Sequence, residues 1–328
     1  MKRSKNTCVY QKIVILFFIT LIIMFLSLFC GAYQISPVDF FAGNLSQTDW
    51  AVFWNFRFYR ILMAALAGAV LAMAGLTLQS LFANPLVEPY TLGISGGANL
   101  GITIASVIFG GVSAFFFGIF GAFAVSALLL FSAFLPNQSS NRILLTGITI
   151  SYMSAGISML VLSFATSKDM QQVIHWGLGS VAGADRGQVL FLAVVFLFSL
   201  AVLSAKTMIM NVLQFGEDDA KNLGISVKKE RVFLLVIAAI LTASAVSLCG
   251  AIGFVGLLSP HIARKIFGED NRILLFATAI TGALLLTVAD LFARTLFIPR
   301  ELPAGVITAI LGGGLFIYLL NKGETRNA

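Results

Sequence analysis

Residues 215–231 read Phe-Gly-Glu-Asp-Asp-Ala-Lys-Asn-Leu-Gly-Ile-Ser-Val-Lys-Lys-Glu-Arg. Half of the residues from Gly216 to Arg231 are charged, in a chain where only 11% are. Apolar runs long enough to cross a bilayer flank the stretch on both sides, so it reads as a loop between two membrane spans. Within it, Gly216 breaks the incoming span. Glu217, Asp218 and Asp219 then fill the first turn of a short helix, where the macrodipole favours negative charge. Ala220, Lys221, Asn222 and Leu223 continue that helix and Gly224 is placed to stop it. Lys228, Lys229 and Arg231 mark return to the membrane from the cytoplasmic side. Taken alone, the stretch is a solvated loop that joins two helices. The sharper reading is a docking knob for a soluble partner, and the rest of the chain decides between the two.

Composition sets the class. The 328 residues are 59% hydrophobic, with a mean hydropathy of +0.96, and apolar runs near span length recur throughout. This is the signature of an all-α polytopic membrane protein built as one transmembrane domain, residues 1–328. A transmembrane β-barrel is excluded because the apolar runs are continuous, not alternating. The net charge of +7 lies at span ends, which makes it an orientation signal and not a nucleic-acid footprint. Cys8, Cys30 and Cys249 lack metal-ligand spacing and are too scattered for a disulfide framework, so they read as free thiols.

Working outward from 215–231, the sixth span ends near Ala205 and the seventh runs from Val232 to Leu248, with a polar loop of about 206–231 between them. Towards the N-terminus, Lys2, Arg3, Lys5 and Lys12 precede a first span from Ile13 to about Tyr33. No A-x-A-like cleavage site follows it, so it reads as a span and not as a removed signal peptide. An outer segment, Gln34 to Arg60, carries Trp50, Trp54 and Tyr59 as an interfacial belt. The second span, Ile61 to Leu81, has Ala64, Gly68, Ala72 and Gly75 at three- and four-residue spacing, a face suited to close helix packing. Asn84 to Gly97, rich in Pro and Gly and containing Glu88, is a turn or interfacial segment. The third, fourth and fifth spans cover roughly 94–109, 114–135 and 143–164. An outer segment of about 166–188 is read as a short helix across the mouth. Beyond the seventh span, a Gly-rich bend at 249–253 leads to an eighth span over 254–267. The ninth and tenth cover 273–289 and 304–320. This gives about ten transmembrane helices with both termini cytoplasmic. Of the 21 basic residues, fifteen then fall inside and six outside.

The spans carry little chemistry of their own. Ion-coupled transporters place carboxylates near the bilayer centre, and almost no ionisable residue here falls in mid-span. Asp290 and Arg294 read as an i,i+4 ion pair, and Glu301 as a cap before Pro303. His175 and His261 are the only histidines, predicted at opposite faces. The chain has no H-E-x-x-H, G-x-S-x-G or G-x-x-x-x-G-K-[ST] pattern, hence no predicted catalytic residue, metal site or ATP-binding loop. The expectation is a passive scaffold for transport, powered from elsewhere. An ATP-independent channel or facilitator is the runner-up class, and a membrane-embedded enzyme the third.

Five collinear motifs then carry a resemblance. They are Asn84-Pro85-Leu86 with Pro89, Leu92-Gly93 and Ser95-Gly96-Gly97; Trp176-Gly-Leu-Gly-Ser180; Glu217 to Gly224 with Val227; Gly253-Phe-Val-Gly256-Leu-Leu-Ser-Pro260-His261-Ile-Ala-Arg264; and Glu301-Leu302-Pro303-Ala-Gly305-Val-Ile-Thr308. In this order they resemble the FecCD family, the permease subunits of ABC importers for ferric siderophores, haem and cobalamin. The resemblance implies a permease that pairs with a second one, identical or paralogous. It also implies two ATP-binding cassette ATPases below, which hold the ATP and Mg that this chain does not bind as a cofactor. Above would sit one extracytoplasmic substrate-binding protein. It assigns Glu217, Asp218, Asp219, Ala220, Leu223 and Gly224 to ATPase coupling, with small Ala220 and Gly224 allowing close approach. The family pattern R-x-P-R is met by Arg57-Phe-Tyr59-Arg60, with Tyr in place of Pro. Together with Arg294 these residues resemble the basic set that receives carboxylates of the binding protein, for which the planar guanidinium fork is suited. Ser139, Ser140 and Asn141 match the family's cytoplasmic gate. A ferric siderophore is the expected cargo, with haem or cobalamin as the alternative.

Overall fold

The computed structural model describes residues 2–31, 33, 35–111, 114–134 and 140–324, and its regular structure is entirely helical. In chain order the helices are α1 (Lys2–Ser27), α2 (Pro37–Ala42), α3 (Gln47–Ala51), a π-helical stretch (Val52–Phe58) that runs into α4 (Tyr59–Leu81), α5 (Ile94–Ile108), α6 (Ala114–Phe134) and α7 (Ser140–Leu162). They continue with α8 (Ser167–Gly177), α9 (Arg186–Leu213), α10 (Glu217–Asn222), α11 (Val227–Cys249), α12 (Val255–Phe267), α13 (Asn271–Thr295) and α14 (Ala304–Glu324).

Seven helical stretches are long and apolar enough to cross a membrane: α1, the unbroken run Gln47–Leu81, α6, α7, α9, α11 and α13. The count of about ten adds α5, α12 and the apolar part of α14. These are shorter, at 15, 13 and 15 residues. A 15-residue helix spans only about 22 Å, less than the roughly 30 Å hydrocarbon core. For α5 and α12 the remaining depth is therefore crossed by non-helical chain, whereas α14 itself continues as helix to Glu324.

Several predicted bounds shift outward. Helix begins at Gln47 and not Ile61, α9 continues past Ala205 to Leu213, and α13 continues past Ala289 to Thr295. The reason is common to the last two. Hydropathy marks where a helix meets lipid, whereas charged and polar side chains extend a helix wherever neighbouring helices pair them. Lys206 and Asn211 do this for α9, and Asp290 and Arg294 for α13.

The bundle is organised around α4, of which twenty of 23 residues are buried. An all-round apolar helix is a membrane span or a core helix, and burial separates the two: α4 is surrounded by protein, whereas the equally apolar α1 is mostly exposed. Lipid tails are as apolar as Leu, so close packing of small residues holds such helices together. The small face predicted on α4 does this. A methyl on Gly68 would run into the Gly282 carbonyl of α13, and one on Gly75 into the Gly256 carbonyl of α12.

Candidate functional site

At the end of the bundle that carries residues 214–231, α9 stops at Gln214 and Gly216 takes a φ of 120° that few other residues tolerate. The predicted short helix is present as α10, with Glu217, Asp218 and Asp219 in its first turn. Gly224, at φ 77°, closes it as its N–H donates to the Lys221 carbonyl at 2.9 Å. Two anchors fix the segment. Ala220 is wholly buried against the bundle, and the Glu217 carboxylate pairs with the buried Arg231 of α11. Ala220 therefore allows close approach to its own chain and not to a partner, a correction to its sequence reading. What the segment offers outward is Phe215 and Leu223, 72% and 68% exposed, with the solvated Asp218–Lys221 pair between them. Phe215 lies inside the quoted stretch but outside the expected coupling residues. Its exposure, not its sequence, brings it in.

Behind this knob the helices are tied by polar side chains. Lys206 of α9 pairs with Glu230 of α11 at 2.8 Å. Asn211 of α9 donates to Asp270 at 2.9 Å and accepts from the Asn271 backbone at 2.7 Å. Asp270 caps α13 and receives Arg272, whose hydrogen bonds hold its carboxyl down at about 2. Arg264 of α12 donates to Gln79 of α4 at 2.6 Å. Of the expected gate, Ser139 lies outside the described residues, and Ser140 and Asn141 open α7.

At the opposite end, Arg57, Arg60 and Arg294, expected as an outer docking set, lie near one another but not on the surface. They are 6%, 9% and 2% exposed. Arg60 holds Asp290 through Nε and a terminal nitrogen, both at 2.9 Å, and Glu301 at 2.6 Å. Arg294 donates to the Ser27 carbonyl at 2.7 Å and to its hydroxyl, and lies 3.5 Å from Asp290. Arg57 donates to the carbonyls of Leu28, at 2.6 Å, and Tyr33. The expected docking set thus stitches α1, α4, α13 and the chain before α14 to one another. The reason is that Asp290, predicted at a span end, is buried and draws two guanidiniums inward. The exposed cations among the described residues at this end are Lys168, Arg186 and Arg300. Tyr59, where the family pattern has Pro, takes a helical φ of −67°, and the helix runs through it unbroken.

Between the two ends lies a cleft made of helix breaks. After α4 the chain turns back into the bundle. A methyl on Gly256 would lie 2.9 Å from Pro89 and 3.1 Å from the Leu71 carbonyl oxygen. Leu71 stands ten residues up α4 from Leu81, about 15 Å at 1.5 Å per residue. The 84–93 turn therefore reaches about half-way through the bundle. There it meets the 250–254 break between α11 and α12. The chain leaving α8 joins them: the Ser180 N–H donates to the Cys249 carbonyl at 2.7 Å, and Gly305 N–H to the Gly179 carbonyl at 2.9 Å. Two adjoining cavities of about 410 and 310 Å³ open at this junction and share Tyr90, Gly177 and Ala251 in their walls. Irregular backbone at membrane depth is tolerated where it is buried in protein or lines a watered cavity.

Residues 19–322 match the FecCD transport family. The chain belongs to the FecCD family. It is 37% identical over 325 residues to YfhA of Bacillus subtilis, named as a siderophore transport system permease, covering 94% of this chain and 93% of that one. It is 37% identical over 319 residues to the vitamin B12 import system permease BtuC of Photorhabdus laumondii, covering 95% and 92%. An inward-facing structure assigned to the metal-chelate type of ABC transporter superposes with a TM-score of 0.86 at 30% identity, over 95% of this chain and 99% of that one. This FecCD protein is accordingly a multi-pass membrane permease of a metal-chelate ABC transporter. Among its described residues no three His, Cys, Asp or Glu side chains are grouped to hold a metal ion. The motifs that carry the family resemblance fall on the breaks around the cleft and on α10, which explains their richness in Gly and Pro: each needs chain that leaves the helix.

Proposed function

We propose that this permease forms the translocation pathway of a binding-protein-dependent importer for ferric siderophores, at an interface with a second permease. Two ATPase subunits dock at the 214–231 end, which is the cytoplasmic face, and a substrate-binding protein docks at the end of Arg300. The observation that carries the reading is α10. The residues flanking this short helix, Phe215 and Leu223, project into solvent while Glu217 and Ala220 fasten it to the bundle. Such a fastening, together with the short link from Leu223 to Ser226, carries a push on the exposed knob to α11. ATP-driven closure of the ATPases moves α10, and the helices rock to open the cleft to one side and then the other. ATP hydrolysis belongs to the partner subunits, since the permease sequence has no phosphate-binding loop.

Cobalamin is the second reading, favoured by the 37% identity to the vitamin B12 permease, and haem is a third. Uptake into vesicles that contain the permease, ATPases and binding protein tests all of them. ATP-dependent accumulation of a ferric siderophore, lost on deletion of Glu217–Gly224 with the fold retained, is the expected result. Flux that survives the deletion would instead indicate a channel. Accumulation of cyanocobalamin or haem alone would move the cargo to the other readings.

A further inference from the structure

The cleft walls have a one-sided chemistry. Among the described residues, those lining the two cavities include Glu88, Tyr90, Ser95, Asn99 and Tyr152, with small and apolar neighbours, and no Lys, Arg or His. Glu88 is the one carboxylate. A single protein hydrogen bond to it is present, from the Phe254 N–H at 3.2 Å. Asn99 Oδ1 and the hydroxyl of Ser95, which is 3% exposed, are buried with no partner among the described residues. A buried polar atom left unsatisfied costs stability unless water or a ligand meets it. A lone buried carboxyl without a cation beside it is only partly ionised, so the wall is acceptor-rich and weakly anionic; it disfavours a polyanion, which it cannot compensate, and favours donors.

We propose that this cleft is the cargo-contacting wall of the pathway and that Glu88 sets its charge preference. The class of cargo is a neutral or cationic metal chelate that presents amide N–H or ammonium donors, such as a ferric trihydroxamate, and not a polyanionic ferric catecholate. The inference rests on the permease reading for what passes, but the charge of the cleft can be measured without transport.

The test places a thiol beside Glu88. In the full chain in its membrane, with Cys8→Ser and Cys30→Ser, Tyr90→Cys is treated with cationic and anionic methanethiosulfonates of similar size. A cleft of one charge sign raises encounter with the opposite ion by about tenfold or more. The cationic reagent is expected to react faster by about that factor, normalised to a free thiol. Glu88→Gln, which retains an acceptor for Phe254, should bring the ratio to within about twofold. The ratio cancels any change in ionisation of the thiol itself. No modification by either reagent, or a ratio that Glu88→Gln leaves unchanged, overturns the proposal. In the assembled importer, Glu88→Gln should also raise transport of the ferric tris-catecholate relative to the trihydroxamate. Failure of ATP-dependent uptake with the thiol ratio intact counts against the importer reading and leaves the charge assignment standing.

Discussion

The two ends of the bundle look alike in sequence and differ in what their charges do. Both are loop regions with several ionisable residues at span ends. At one, Arg57, Arg60, Arg294 and Asp290 are all buried and bound to one another or to backbone. At the other, Asp218 and Lys221 are solvated, Phe215 and Leu223 are bare, and two contacts anchor α10. One end is a clasp between helices and the other a handle. Charge at a span end therefore says nothing of its role until its burial is known, because a buried ion must be paired while an exposed one is free to meet a partner.

The contrast breaks most sharply at Arg60. Arg60→Ala leaves Asp290 buried with only Arg294 near it. Removing one partner of a buried pair costs about 3–5 kcal/mol, so the purified variant should unfold at clearly lower temperature or fail to accumulate. A variant of normal thermal stability that had lost only binding-protein docking would return Arg60 to the surface role its sequence suggests. Next in size is the handle. Phe215→Ala with Leu223→Ala should change stability by less than about 0.5 kcal/mol. It should weaken association with the ATPases by about 2 kcal/mol, as loss of exposed apolar anchors does. Co-purification of the ATPase and the melting midpoint read the two effects separately, and a large drop in the midpoint would make this end a clasp too.

The smallest effect lies behind the handle, at Asp270. Arg272 and Asn211 hold its carboxyl at about 2, below its unfolded value. A group depressed on folding adds stability above the unfolded pKa and loses it as pH falls through the folded one. Asp270 is partly exposed and Arg272 largely so, so screening limits the contribution to about 1 kcal/mol or less. Asp270→Asn should melt slightly lower at pH 7, and the gap should close between about pH 4 and pH 2. A gap that persists at pH 2 would assign the effect to packing instead of charge.

Much of the fold was legible in the sequence. The positions of α5, α6 and α12, the stop at Gly224 and the small face of α4 follow from hydropathy and glycine spacing, which are local properties; α11 instead begins at Val227, five residues inside the predicted loop. The motif at 217–224 was legible as a segment, yet Ala220 read as a contact for a partner and is instead buried. Whether a small residue faces in or out of a six-residue helix is fixed by what lies beneath it. Glu88 read as part of a turn, since nothing local says that the chain from Asn84 to Gly93 folds back towards Leu71 and Gly256.

By itself, the sequence determined that this chain lies in the membrane, where its helices begin and break, and which family it belongs to, since these depend on composition and on residues close in the chain. Only the tertiary structure decided which charges are internal and which are offered, and that three helix breaks enclose one acceptor-lined cleft. Those outcomes depend on contacts such as Arg60 with Asp290 and Glu88 with Phe254, which lie 230 and 166 residues apart in sequence and are brought together by the packing of helices alone.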